Sequence, residues 1–195
     1  LDDGIKTLNI ALAMKKSATY KKIIKLNWKN MASKKILQKC KKIKLVITDV
    51  DGVLTDGGMY YSEKGEILKK FHARDGKGVE LLHKILIKTV FLTSENSKIA
   101  KARARKVKAD HCYINIKRKE TMLSTICKRF RVKPSNIAYI GDDVNDIKIM
   151  KLVGLSAVPS NGTKEAKSVS DFKCKTNGGA GAFREFSDLI SSSKK

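Results

Sequence analysis

The chain has 195 residues, of which 42% are hydrophobic and 31% are charged. This length suits one domain, and the apolar content is too high for a disordered chain and large enough for a buried core. The apolar runs all fall short of the roughly 18 residues that a membrane-spanning helix needs. The composition therefore predicts a soluble globular protein.

The charge balance is strongly basic, with 42 Lys and Arg against 19 Asp and Glu and a formal net charge of +23. Such a surplus favours anionic partners, either nucleic acids or small anionic substrates. The basic residues are spread from Lys6 to Lys195, and aromatic residues make up only 6% of the chain. Proteins that stack bases combine a basic stripe with aromatic side chains. We therefore expect a small anionic substrate rather than nucleic acid.

The cysteines and the N-terminal segment give an expectation about the compartment. Cys40, Cys112, Cys127 and Cys174 lie far apart without a CxxC pair. This spacing excludes a zinc finger and is typical of free thiols in a reducing environment. Lysines, not a cleavage site, follow the short apolar stretch near the N-terminus. Both observations predict a cytoplasmic protein.

Two regions differ in pattern. Residues 1–42 mix lysines with scattered apolar residues, which predicts a basic N-terminal appendage that is poorly ordered or partly helical. From residue 43 onward, short apolar segments alternate regularly with segments of helical periodicity. We therefore place the boundary of the folded domain at residue 43 and its end at residue 195.

The regular region predicts five strands, one hairpin and five helices. The predicted strands cover 43–47, 90–92, 112–114, Ile137–Ile140 and Leu155–Val158, and the hairpin covers 59–62 and 66–71. The predicted helices cover 78–87, 97–107, 119–130, 143–152 and 181–190. Strands that alternate with helices indicate βαβ units around a parallel sheet. The sequence therefore predicts an α/β fold with a Rossmann-like, doubly wound parallel sheet.

Polar residues follow the predicted strands, where ligands of such sheets bind. They are Asp49 and Asp51, then Thr93, Ser94 and Glu95, then Asp142, Asp143 and Asp146. Several carboxylates at one sheet edge repel one another unless a cation neutralises them, and hard oxygen ligands suit Mg²⁺. Two of these aspartates, two residues apart on an extended strand, project to one side, so that one can attack while the other handles protons.

Each of these motifs has a structural alternative when it is taken alone. Asp-x-Asp-Gly is often only a turn, and Gly-Asp-Asp is a common loop in which Asp143 caps the following helix. Thr93 by itself is more often structural than functional. The motifs occur together, each after a predicted strand, and this joint occurrence favours one combined site.

The residues that carry these patterns also resemble a known family. The run 49–57 (DVDGVLTDG) resembles the first motif of the haloacid dehalogenase phosphatase superfamily, and Thr93, Lys119 and the run 141–146 (GDDVND) resemble its other three motifs. The similarity extends from residue 43 to residue 190. Between Asp51 and Thr93 there is room for a hairpin and one helix, so no large cap domain fits. The chain is therefore similar to the capless branch of 3-deoxy-manno-octulosonate 8-phosphate and nonulosonate 9-phosphate phosphatases.

This resemblance implies a Mg²⁺-dependent phosphatase with an aspartyl-phosphate intermediate. Asp49 would attack phosphorus, and Asp51 would protonate the leaving sugar oxygen and then activate water. Thr93 and Lys119 would hold the phosphoryl oxygens. Mg²⁺ would be bound by Asp49, the backbone carbonyl of Asp51 and Asp142. No organic cofactor is needed for such a transfer.

Further roles are implied for residues around that centre. Asp143 and Asp146 would orient the metal ligands. The hairpin and the C-terminal tail would take part in a homotetramer in which neighbouring subunits cover each active site. Arg74 belongs to the run 74–76 (RDG), which the resemblance assigns to an interface or a substrate-adjacent loop, whereas the run alone is equally typical of a surface turn.

The substrate is predicted from Glu95, Arg103 and Lys106, which resemble the sugar-acid contacts of the nonulosonate 9-phosphate phosphatases. The two basic residues are three apart on one helical face and could receive the substrate carboxylate, although a solvated basic face is the alternative. We therefore expect an N-acylneuraminate or another nonulosonate 9-phosphate. The alternatives are 3-deoxy-manno-octulosonate 8-phosphate and a non-catalytic tetramerising module of a sialic acid cytidylyltransferase. The presence of both Asp49 and Asp51 favours catalysis.

Overall fold

Eight strands and seven α-helices form in the computed structural model, which describes residues 28–194. The strands are β1 (Leu45–Thr48), β2 (Tyr60–Ser62), β3 (Gly65–Leu68), β4 (Lys88–Leu92), β5 (His111–Tyr113), β6 (Ile137–Ile140), β7 (Leu155–Val158) and β8 (Phe172–Lys173). The helices are α1 (Trp28–Lys42), α2 (Ala73–Lys84), α3 (Lys98–Lys106), α4 (Leu123–Phe130), α5 (Ile147–Leu152), α6 (Lys164–Val169) and α7 (Ala182–Ser192). Three 3₁₀ turns cover Lys119–Met122, Pro134–Asn136 and Val144–Asp146.

Six of the strands form one parallel sheet in the order β5-β4-β1-β6-β7-β8, and β2 and β3 form a separate antiparallel hairpin. Strand β1 lies inside the sheet, where Leu45 pairs with Lys88 on one side and Ile137 on the other. All four residues of β1 are buried, as expected for a parallel strand that is covered on both faces. The chain builds the β4 side first and then the β6 side, so the winding reverses at β1. Ligand sites lie beyond the strand ends at such a reversal.

The alternation of side chains along β1 divides the core into two layers. Val46 packs in a layer with Phe91 and the helix residues Phe183 and Phe186. Leu45 and Ile47 point to the opposite layer, together with residues of β4, β6, α4 and α5. The predicted doubly wound α/β fold without a large cap is therefore confirmed.

Helix α2 begins earlier than the sequence predicts. The apolar periodicity placed its start at residue 78, but the helix starts at Ala73, and His72 caps it by accepting a hydrogen bond from the Arg74 backbone amide. A Cβ at Gly78 would lie 2.9 Å from Ser187 Oγ. This glycine therefore permits the close approach of α2 to α7. Because residues 74–76 are helical, both the surface turn and the loop that were expected there are wrong.

Two short elements of the structure were not predicted, namely α6 and β8. The six residues of α6 bury only Ala166, so they carry no clear apolar periodicity. Strand β8 contains two residues, and its pairing with β7 becomes visible only in the folded sheet. The predicted helices at 119 and 143 each begin with a 3₁₀ turn before the α-helix.

The predicted N-terminal appendage is described only in part. Residues 1–27 lie outside the described residues, and residues 28–42 form α1. The compact unit that contains the sheet starts at Ile36, because Ile36 and the fully buried Cys40 already pack into its core. None of the helices formed by the described residues is long and apolar enough to cross a membrane.

Candidate active site

The ends of β1, β4 and β6 meet at one open cleft. Asp49 follows β1, Thr93 follows β4 and Asp142 lies two residues beyond β6. The backbone amide of Asp49 donates to the carbonyl of Ile140 at 2.9 Å, which extends the pairing of β1 and β6 by one residue. The three side chains line the cleft together with Asp51 and Glu95. The predicted convergence of these polar residues is therefore present.

The loop after β1 differs from the extended strand that the sequence predicted. The strand ends at Thr48, and Asp51 lies in a turn in which the amide of Gly52 donates to Thr55 Oγ1 at 3.3 Å. Asp51 still lines the same cleft as Asp49 because this turn folds back over the strand end. The side chains of Asp49 and Asp51 therefore line the same cleft because of the turn, and not because of alternation along a strand.

Lys119 lies beside Asp49 and is completely buried. Its Nζ lies 2.7 Å from Asp49 Oδ2 and 2.6 Å from Asp146 Oδ1. Burial by itself disfavours the charged lysine, but the two carboxylates more than offset this effect, so the pKa of Lys119 is raised. The lysine is therefore a permanent cation beside the carboxylate of Asp49.

Asp146 is fully engaged with protein groups. Besides the lysine, Tyr139 Oη donates to its Oδ1 at 2.6 Å, and the amides of Asp142 and Asp143 donate to its Oδ2 at 2.9 and 3.3 Å. Asp143 in turn accepts from the Val144 amide at 2.7 Å and caps the 3₁₀ turn. Asp146 and Asp143 thus hold the loop after β6 in place, and the helix-cap interpretation of Asp143 is confirmed.

The acidic residues of the site have unusual protonation equilibria. Burial, followed by the charge of Asp146, raises the pKa of Asp49, which Lys119 opposes. The same two causes raise the pKa of Asp142 to about 7. One carboxylate oxygen from each of Asp49, Asp142 and Asp146 lies within 4.8 Å of the others. Because Lys119, Tyr139 and two backbone amides already engage both oxygens of Asp146, Asp49 and Asp142 are the two carboxylates of this group that can offer oxygens to a hard divalent cation such as Mg²⁺.

Only a glycine fits at position 52, because the backbone there lies against the Asp142 side chain. Its φ is +83°, and a Cβ there would lie 2.1 Å from Asp142 Oδ2. We expect Gly52→Ala to displace this carboxylate, weaken Mg²⁺ affinity at least about tenfold and lower kcat/KM in parallel. Isothermal titration with Mg²⁺ measures the affinity.

The matched control is Gly65→Ala in the hairpin. Gly65 also has a positive φ, +107°, but a Cβ there meets no atom within 4 Å. Both variants therefore carry the backbone strain of a left-handed residue, about 1–2 kcal/mol, and only one disturbs Asp142. Equal losses of Mg²⁺ affinity in both variants would contradict the proposed role of the contact.

The C-terminal tail packs directly on the loop after β1. A Cβ at Gly178 would lie 1.7 Å from the carbonyl oxygen of Gly52, and the amide of Gly179 donates to the carbonyl of Val53 at 3.0 Å. Only glycine permits such a close approach of two backbones. The two-glycine segment therefore supports the turn that carries Asp51.

The residues predicted to bind the substrate do not share one location. Glu95 lines the cleft. Arg103 donates to the carbonyl oxygen of His72 at 3.1 Å and lies over the ring of Phe71, 5.4 Å from its centroid, outside the cleft lining. Lys106 is exposed at the end of α3, and Arg74 lines a separate groove beside the start of α7. Within one described chain, therefore, only Glu95 of these four residues reaches the cleft.

Sequence reasoning missed several residues that contact the site. Lys69 pairs with Asp51, Glu66 pairs with Lys69, and Ser97 donates a hydrogen bond to Glu66. Nothing in the local pattern distinguishes Lys69 from the many other lysines. Tyr139 was detectable in principle, because a hydroxyl in an otherwise apolar buried strand needs a partner.

A parallel α/β sheet that brings two aspartates, two residues apart, to one cleft and buries a lysine beside the first of them is an arrangement that fits a hydrolase. Residues 11–185 match the family model of the haloacid dehalogenase-like hydrolases. The protein belongs to this family, and the family prediction is confirmed.

The similar proteins agree with this assignment. The chain is 39% identical over 153 residues to the 3-deoxy-D-manno-octulosonate 8-phosphate phosphatase of Haemophilus influenzae, across 78% of this chain and 85% of that protein. A cobalt-bound structure of the Haemophilus influenzae phosphatase superposes with a TM-score of 0.79 and 38% identity, covering 80% and 92% of the two chains. The Moraxella catarrhalis phosphatase, solved with a magnesium ion, a phosphate ion and a KDO molecule, gives a TM-score of 0.79 at 34% identity, covering 82% and 91%.

Proposed function

We propose that this protein hydrolyses 3-deoxy-manno-octulosonate 8-phosphate. Its family and its similar phosphatases confirm that the protein is a phosphatase. The magnesium-bound relative and the cluster of acidic residues support Mg²⁺ as its cofactor. The observation that carries the substrate proposal is the extent of the match to phosphatases of that name, 39% identity over 85% of the Haemophilus influenzae protein.

The first half of the proposed reaction takes place on Asp49. Its carboxylate attacks phosphorus, the bond between phosphorus and the sugar oxygen breaks, and an aspartyl-phosphate forms. Asp51 gives its proton to the departing sugar oxygen, which keeps the electron pair of the broken bond. In the second half Asp51 takes a proton from water, which attacks phosphorus, releases phosphate and restores Asp49.

Thr93 and Lys119 supply donors to the transferring group. Lys119 already contacts Asp49 at 2.7 Å, so its charge lies beside the attacking oxygen. Thr93 follows β4 and lines the cleft. Bound Mg²⁺ would be held by Asp49, the backbone carbonyl of Asp51 and Asp142 and would add positive charge to the phosphoryl oxygens. Asp143 and Asp146 keep Asp142 in position.

A nonulosonate 9-phosphate is the second candidate substrate. Glu95, one of the residues on which that expectation rests, lines the cleft. Arg103, however, is engaged with His72 and Phe71, and Lys106 is exposed outside the cleft. Within one chain, Arg103 and Lys106 therefore do not line the cleft that contains Asp49. This makes the octulosonate the leading candidate.

The decisive experiment compares phosphate release from 3-deoxy-manno-octulosonate 8-phosphate and N-acetylneuraminate 9-phosphate in the presence of Mg²⁺. We expect kcat/KM to favour the octulosonate by at least about tenfold, a discrimination of about 1.4 kcal/mol. The reverse preference would overturn the substrate proposal and support the nonulosonate. Equal release from both would also contradict selectivity for the octulosonate.

We also propose that the protein forms a homotetramer. The hairpin exposes large apolar side chains, with Tyr61 58% and Ile67 56% accessible. Met59, Tyr60 and Leu68 of the same region are also exposed. Several exposed large apolar side chains on one short hairpin are typical of an interaction site. We therefore expect the hairpin to contact neighbouring subunits.

A further inference from the structure

Lys69 follows β3 at the base of the hairpin, and its side chain is completely buried. Its Nζ lies 2.5 Å from Asp51 Oδ1 and 2.6 Å from a carboxylate oxygen of Glu66. A bridge between Thr55 and Phe71 brings this segment alongside the loop that carries Asp51. The lysine therefore reaches Asp51 from the hairpin, eighteen residues away in sequence.

Glu66 is itself held in place. Ser97 Oγ donates to Glu66 Oε2 at 2.6 Å, and the same hydroxyl accepts from the Ala100 amide at 3.2 Å as the cap of α3. Ser97 is buried. The chain of contacts thus runs from the start of α3 through Ser97 and Glu66 to Lys69. These contacts hold the ammonium group of Lys69 against Asp51.

The other oxygen of Asp51 has a different partner. Thr93 Oγ1 donates to Asp51 Oδ2 at 3.3 Å and accepts from the Glu95 amide at 3.1 Å. Both oxygens of the Asp51 carboxylate are therefore restrained, although its side chain stays 23% exposed towards the cleft. An ammonium group can donate hydrogen bonds but cannot accept them. Oδ1 therefore accepts from Lys69. The partner of Oδ2 is a hydroxyl group, whose hydrogen can rotate away, so Oδ2 is the oxygen that can exchange a proton.

Removing the charged Lys69 from water costs free energy, so stabilisation of the fold does not by itself explain the Lys69–Asp51 ion pair. A buried ion pair seldom stabilises a fold more than apolar residues of the same size. The pair in this protein contains the proposed proton donor, whereas the neighbouring Lys70 is exposed and pairs with Asp56 at 3.1 Å. Among the two lysines that end the hairpin, therefore, only the buried one contacts a residue of the reaction.

We propose that Lys69, held by Glu66 and Ser97, is a positioning residue that orients Asp51 so that Oδ2 delivers its proton to the leaving oxygen. This inference rests on the proposed function, because it takes Asp51 as the proton donor. It makes the hairpin part of the catalytic apparatus within its own chain. The proton passes from Oδ2 to the oxygen that departs with the electron pair of the broken bond to phosphorus.

The experiment measures kcat/KM for phenyl phosphate and 4-nitrophenyl phosphate, which have similar shapes but leaving groups of different basicity. The ratio kcat/KM reports the steps up to departure of the first leaving group. The nitrophenolate needs little protonation, whereas phenolate depends on it. We expect Lys69→Met to lower kcat/KM for phenyl phosphate by about 10²-fold, the lower end of a general-acid contribution, and for the nitrophenyl ester by much less.

Two further variants accompany this comparison. Lys70→Met removes the adjacent exposed lysine and should leave both rates unchanged. Glu66→Gln keeps the shape of the side chain but removes the charge that holds Lys69, and it should move the ratio of the two rates in the same direction by a smaller amount. If Lys69→Met does not fold, as judged by circular dichroism, the ratio in Glu66→Gln decides the question.

The outcomes separate the two proposals. Equal losses for both esters in Lys69→Met, or an unchanged ratio in Glu66→Gln, would show a merely structural role and overturn the inference. A wild-type protein that hydrolyses the aryl esters but not the octulosonate ester would overturn the substrate proposal alone. The ratio measured on the aryl pair would still test the role of Lys69.

Discussion

Replacement of Asp49 by asparagine is expected to abolish phosphate release while the fold remains intact. Asparagine preserves the shape and can still accept the 2.7 Å hydrogen bond from the Val50 amide. It lacks the carboxylate that attacks phosphorus, so kcat should fall by at least about 10⁴-fold, a loss typical of a removed nucleophile. Steady-state phosphate release in the presence of Mg²⁺ measures this loss.

Stability should respond in the opposite direction. Burial and Asp146 raise the pKa of Asp49 above its unfolded value, so the ionised carboxylate destabilises the fold once the pH exceeds the unfolded pKa. A neutral asparagine removes that cost, and the melting temperature at neutral pH without Mg²⁺ should be equal or higher. Asp56→Asn is the control, because Asp56 lies in the same loop and pairs with the exposed Lys70. Activity close to the wild-type level in Asp49→Asn would contradict the nucleophile assignment.

Replacement of Lys119 by methionine should impair both catalysis and folding. The completely buried lysine lies between Asp49 and Asp146, and methionine would leave these carboxylates facing each other without a cation. Removal of one partner from a buried ion pair typically costs about 3–5 kcal/mol. We therefore expect urea denaturation to show a loss of this size at neutral pH without Mg²⁺.

The catalytic loss in Lys119→Met should be about 10²–10³-fold in kcat/KM, the usual effect of removing one group that stabilises transition-state charge. Lys148→Met is the matched control, since Lys148 is exposed on α5 and its contact with Glu120 is 3.9 Å long. The control should change neither measurement. If Lys119→Met kept wild-type stability, the lysine would not be the buried counter-ion that the geometry indicates.

The sheet and the four motifs were predictable because they depend on local pattern. Continuous apolar runs such as Ile137–Ile140 identify buried parallel strands, and the polar residues that follow them must meet at one sheet edge. The early start of α2 was not predictable, because glycine disfavours a helix and only the folded structure shows that Gly78 packs against α7 and Gly76 against the end of α3. Local propensity yields there to tertiary packing.

The outer parts of the site were beyond sequence reasoning for a different reason. Lys69 contacts Asp51 only because the Thr55–Phe71 bridge folds the hairpin base against the first loop. The family resemblance, with which the helical spacing agrees, implied that Arg103 receives a substrate carboxylate, yet Arg103 covers Phe71 and donates to the carbonyl oxygen of His72. Periodicity gives the face of a helix, but the contacts on that face depend on what packs there.

The position of β1 has a consequence for synthesis of the protein. Strand β1 precedes the other strands of the sheet in the chain, yet it pairs with β6, which begins at Ile137. The ribosome therefore releases the apolar Leu45–Thr48 segment long before one of its two neighbours exists. Pairing of such distant segments is slow, and an unpaired apolar strand edge invites aggregation. Nascent chains that end before β6 should thus depend on chaperones, and activity should arise only late in translation.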